Sequence, residues 1–220
     1  MTTLSLEPMD LAAMLCSRVC HDLISPVGAI MNGLEVLDDE KETGMREIAI
    51  DLIRKSANGA AAKLKFCRLA YGAAGSAGAT IDTGDAEAVA RGLLVTERVS
   101  LQWNGARLLL PKNKVKLLLN LSQIAASSIP RGGVLTVDIL GADEAATFTV
   151  SAKGVNAKIQ PHFADLLRGE GHGPIEGHSI QPYYAALVAR ECGLSIEIVT
   201  EPDTLTFVTR AGATREASAA

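Results

Sequence analysis

CHDLISPVGAI, residues 20–30, contains a histidine that faces away from the main apolar stripe of its helix. On a helix of about 100° per residue, Leu15, Val19, Leu23, Val27, Ile30, Leu34 and Leu37 gather within about 60° of the direction opposite His21. Ser17, Arg18, Ser25, Gly28, Asn32 and Glu35 share its own side. A stripe of that width is a core face, so the helix turns His21 to solvent. Pro26 lies toward the core side and is expected to bend the helix about one turn after the histidine.

An imidazole so placed is a usable nucleophile toward phosphorus, because an unperturbed pKa of roughly 6.5 leaves much of it neutral near pH 7. Asp22, rotated by about 100°, could orient the ring or accept its proton. Arg18 could neutralise a phosphoryl group. Ser25 and Gly28 leave room for a partner beside the ring, and Asn32 extends the same face. The pattern alone leaves two readings open: a reactive His21, or one more surface histidine on a helix.

Outward from this stretch, one helical pattern covers about residues 9–39, starting after Pro8, which suits a first helical turn. The charged stretch DDEKETG ends it, with Gly44 expected to mark a turn. A second pattern covers about residues 45–70 without a proline, and the pair reads as an antiparallel hairpin. A hairpin cannot bury its apolar face alone, so a homodimer forming a four-helix bundle is expected. GAAGSAG (72–78) is a linker composition. The expected division is 1–74 for the hairpin, 79–212 for a second domain and 213–220 for a disordered tail.

In the second domain, RLLLP (107–111) reads as a strand, and Asn113 opens a helix that stops at Pro130. VLTVDIL (134–140) and ATFTVSA (146–152) read as strands around Gly141. PYYAALVAREC (182–192) is a helix closed by Gly193, and LSIEIVT (194–200) with LTFVTRA (205–211) makes an antiparallel pair. The fold class is α+β, a helical hairpin followed by a sandwich with helices on one side and strands on the other.

Composition narrows the function. The net charge of −4 argues against a nucleic-acid binder. MTTLSLEPMD lacks the basic start and apolar run of a secretory signal. The longest apolar stretch, 108–121, is interrupted by Pro111, Lys112, Lys114 and Lys116, too often for a membrane span. Four cysteines without disulfide-framework spacing point to a reduced, cytoplasmic compartment. Cys16 and Cys20 project toward the flank of the core and His21 away from it, so their proximity in sequence makes no metal site. Lys63, Lys65 and Arg68 read as a solvated face, near enough across the antiparallel pair to touch a partner.

HDLISPVGAI resembles the H-box of sensor histidine kinases, in which a histidine and an acidic residue precede a proline five positions after the histidine. The hairpin is similar to their dimerisation and phosphotransfer domain, and the second half to their ATP-binding domain, but with each box degenerate. LLLNLSQIAASSIPRGG keeps the Asn120 of an N-box, yet Ile124 occupies the magnesium-binding position, where a hard oxygen is needed. VSAKGVNAKI has Ala152 for the adenine-binding aspartate and Asn156 for a glycine. GHSIQPYY keeps Gly177 but has Ser179 and Gln181 at the next two glycine positions, then Pro182. The stretch LLRGEGHGPIEGH, with His172 and His178 in it and His162 just before it, resembles the relic of an ATP lid.

A phospho-accepting histidine without an ATP site resembles the ChpT-type histidine phosphotransferases of alphaproteobacteria. The resemblance implies a phosphotransferase in a multistep phosphorelay, not an ATP-dependent kinase. It implies a hybrid-kinase receiver aspartate as donor, His21 as carrier, and response-regulator receivers controlling the cell cycle as acceptors. No cofactor is expected, since the partner receiver brings its own magnesium. The alternative is a non-catalytic scaffold or inhibitor that docks on receivers or kinases.

Overall fold

The computed structural model describes residues 5–39, 42–72, 78–169, 175, 177 and 179–212. The tail 213–220 and most of the linker lie outside them. Two long helices open the chain, α1 (Pro8–Asp39) and α2 (Thr43–Ala70). α1 continues through Pro26 as one helix. Gly44 sits in the first turn of α2 rather than in a turn between helices. The apolar periodicity from Met45 onward outweighs one glycine's weak helix propensity. Gly33 is the one buried residue of α1. A Cβ there would lie 2.6 Å from Ile53 Cγ1 and 3.3 Å from the Ala49 carbonyl oxygen, so a missing side chain sets how closely α1 and α2 approach.

The remaining elements run β1 (Thr80–Asp82), α3 (Thr83–Leu94), β2 (Val99–Asn104), β3 (Leu109–Pro111) and α4 (Lys112–Ser127). They continue with β4 (Gly133–Leu140), β5 (Thr147–Lys153), α5 (Pro161–Arg168), α6 (Ile180–Glu191), β6 (Leu194–Glu201) and β7 (Thr204–Ala211). β2-β4-β5-β7-β6 form one sheet, with β2 parallel to β4 and every other pair antiparallel. Its inner face carries Leu135, Val137, Phe148, Val150, Ala152, Leu205 and Phe207, all buried against α4 and its neighbours. The expected strand at RLLLP shortens to β3, which leaves the main sheet and pairs with β1. Sequence reading left β1, α3, β2 and α5 unassigned.

The hairpin and the sandwich share apolar cores. Phe66, Leu69 and Ala70, at the end of α2, belong to the sandwich's main cluster. At the start of α1, Leu11, Met14 and Leu15 pack with Leu166, Ile180 and Tyr183 of α5 and α6. Leu15, expected in a bundle core, therefore serves the second domain, because α6 runs beneath the first turns of α1. Val27 and Leu34 of the same stripe are exposed in the single chain. No helix among the described residues is long and apolar enough to cross a membrane.

Candidate functional site

His21 stands on the outer face of α1 with 85% of its side chain exposed. Its Nδ1 lies 3.7 Å from Asp22 Oδ1, beyond hydrogen-bond length. Arg18 Nε donates to Asp22 Oδ2 at 2.9 Å from one helical turn before. Lys63 Nζ, from α2, donates to the Asp22 backbone carbonyl at 2.8 Å. Asp22 is thus gripped at its carboxylate by one cation and at its backbone by another. With Nδ1 on the Asp22 side, Nε2 is the ring nitrogen that can meet an incoming group.

The surroundings suit docking rather than enclosure. Ser25 and Asn32 are exposed on the His21 face, and a Cβ built on Gly28 would meet nothing within 4 Å. A shallow cleft of about 310 Å³ is lined by Ser17, Arg18, His21, Asp22 and Gly177. Gly177 precedes α6, so the second domain reaches the histidine. His172 and His178 lie outside the described residues, and His162 lies beside Phe163 in α5 with the ring centroids 6.5 Å apart. Burial pushes the Cys67 thiol above its ordinary value, and the Asp22 charge adds to the rise. Burial also raises the Tyr71 phenol, whose ring meets Tyr184 edge-on at 5.6 Å. Both groups stay protonated beside the site.

Of the residues read as relics of an ATP site, Asn120 and Ile124 lie on α4, and Gln181 reaches Asn120 from α6. Asn120 is fully buried: its Nδ2 donates to the carbonyls of Ala70 at 3.2 Å and Lys116 at 2.9 Å. Gln181 Nε2, on α6, donates to Asn120 Oδ1 at 3.3 Å and to Gln123 Oε1 at 2.6 Å. Asn120 and Gln181 therefore tie the end of α2, α4 and α6 together. Ala152 is buried in β5. Ile124 and Asn156 line a cleft of about 440 Å³ whose other walls include Pro130, Ile159, Pro161 and Phe163. Carbon faces that cleft where Ile124 stands.

Sequence reasoning named His21, Asp22 and Arg18, which the structure brings together on α1. It did not find the grip of Lys63 on the Asp22 carbonyl or the approach of Gly177, since both depend on how separate elements pack.

Comparison with known proteins gives the family. The family described as the histidine phosphotransferase C-terminal domain matches residues 83–204. Protein phosphotransferase ChpT of Brucella abortus (strain 2308) is 50% identical over 204 residues, covering 92% of this chain and 96% of that protein. A solved bacterial phosphotransferase superposes with a TM-score of 0.87 at 45% identity, covering 96% of this chain and 100% of that one. An exposed, carboxylate-flanked histidine on a helical hairpin, backed by a domain matched over most of its length, has one consistent reading: the chain is a protein phosphotransferase of the histidine phosphotransferase family.

Proposed function

We propose that His21 is the phospho-accepting residue of a multistep phosphorelay. The single observation that carries this is the exposure of the His21 imidazole, with Asp22 beside Nδ1 and open space along the face beyond it. His21 Nε2 attacks the phosphorus of a hybrid-kinase receiver's phosphoaspartate. The N–P bond forms as the P–O bond to the carboxylate breaks, and Asp22 stabilises the positive charge that develops on the ring. The reverse exchange passes the group to a response-regulator receiver. Magnesium comes with the receiver, and this chain supplies position, as phosphoryl transfer chiefly requires.

ATP plays no part in this reading. Ile124 cannot ligate magnesium, and Asn120 is committed to holding helices together. The working unit is a homodimer in the cytoplasm. Ile24, Val27, Met31 and Leu34 of α1 and Met45, Ile48 and Leu52 of α2 form stripes that the single chain leaves exposed, as a four-helix bundle requires. Arg18, Ser25, Gly28 and Asn32 form the face that receivers meet.

The test is phosphotransfer. Incubation with a phosphorylated hybrid-kinase receiver gives acid-labile label on the wild-type chain, and labelled ATP alone gives none. His21→Ala loses at least about a thousandfold in transfer with an unchanged circular-dichroism melt. Label on the alanine variant, or label from ATP alone, overturns the reading.

A further inference from the structure

Pro26 has no N–H, so in a continuous helix the carbonyl four residues earlier loses its donor. That carbonyl belongs to Asp22, and it is the one that Lys63 reaches from α2. A half-buried acceptor left unpaired is costly, and a charged donor at 2.8 Å is a strong replacement. The proline opens a gap in the α1 hydrogen-bond ladder one residue after His21, and the facing helix closes it.

We infer that Lys63 is a positioning residue for phosphotransfer, acting by clamping the carbonyl that Pro26 orphans. The inference rests on the assignment of His21 as the phosphoryl carrier. With its backbone fixed by Lys63 and its carboxylate fixed by Arg18, Asp22 has neither end free to drift, and Oδ1 stays on the Nδ1 side of the ring. Loss of the clamp lets the helix relax at the gap and changes the angle at which His21 meets the phosphorus, to which in-line transfer is sensitive. The role belongs to the hydrogen bond and not to net charge at the surface, which distinguishes it from a receiver contact.

The experiment is a double-mutant cycle on the full-length chain. Lys63→Met slows label transfer from a phosphorylated receiver to His21 by about tenfold. Lys63→Arg, which keeps a cationic donor, stays within about threefold of wild type. Pro26→Ala restores a helical N–H to the Asp22 carbonyl, so Lys63→Met in that background changes its rate by less than about twofold. The ¹⁵N resonances of the His21 imidazole give a readout independent of any partner, shifting in Lys63→Met and not on adding Lys63→Met to Pro26→Ala. An equal loss from Lys63→Met in both backgrounds, or none in the wild-type background, overturns the inference. Absence of label on wild-type His21 overturns the phosphorelay reading instead, and the imidazole resonances then still decide whether the clamp exists.

Discussion

Two helices of this chain invert each other. α1 runs 32 residues and buries one of them, Gly33. α4 runs 16 residues and buries 11, among them Lys114, whose Nζ donates to the Ala146 carbonyl, and Asn120. α1 carries the His21 imidazole in the open and leaves apolar stripes uncovered in the single chain. α4 holds Asn120 and Ile124, two of the residues that resemble a nucleotide site, and is packed about by carbon and by buried amides. On the proposed reading exposure is allotted by use: His21 is to be reached by another protein, whereas Asn120 and Gln181 tie α2, α4 and α6 together.

The comparison breaks most visibly if the uncovered stripe of α1 has no partner. Val27→Glu combined with Met31→Glu would bury charge in a bundle core and raise the dimer dissociation constant by at least about a hundredfold, read by sedimentation. A monomer before mutation, or a dimer unmoved by it, would remove the reason for that helix's exposure.

A second test addresses the sealed helix. Asn120→Ala leaves the Ala70 carbonyl and the Gln181 amide without this partner, and costs about 2–3 kcal/mol in urea unfolding. Transfer through His21 per folded molecule stays unchanged. A silent substitution would mean that the buried amides do not hold the second domain together.

The smallest effect is alkaline. Burial pushes the Cys192 thiol, at the end of α6, from 9.0 up to about 11. Between those values the unfolded chain loses that proton and the folded chain keeps it, so stability falls as pH rises through the interval and levels off above it. Cys192→Ala flattens that fall in urea midpoints taken from pH 8 to 11.5, while lowering the whole curve slightly.

What could be read from sequence divides along physical lines. α1 was legible because 32 residues give the apolar period many turns to declare itself. β4 with β5 and β6 with β7 were legible because alternation survives in strands of seven or eight residues. β1 and β3, at three residues each, are too short for any period. α3 and α5 did carry signals that went unread. Asp82 caps α3 by accepting from the Gly84 N–H at 2.7 Å. Pro161 opens α5, and Gly169 closes it at φ 78°. His21, Asp22 and Arg18 needed only the helical wheel. Pro26 announced that the Asp22 carbonyl would want a donor, but the identity of that donor depends on the register between α1 and α2, which the wheel does not contain.

The packing of Leu11, Met14 and Leu15 on α5 and α6, with Phe66, Leu69 and Ala70 set into the sandwich, makes the hairpin a cantilever. Its root is clamped by both helices, and its far end projects from the sandwich. At about 1.5 Å per residue α1 is about 48 Å long, and His21 lies about 20 Å from its start. In a beam fixed at one end, displacement grows steeply with distance from the clamp. In the single chain His21 therefore sits on the inner part of the arm, where displacement is small, and the largest displacement falls at the outer end, around Val36 to Asp39. Backbone amide exchange along α1 should grade accordingly, slow from Leu15 to Leu23 and fastest at the outer end.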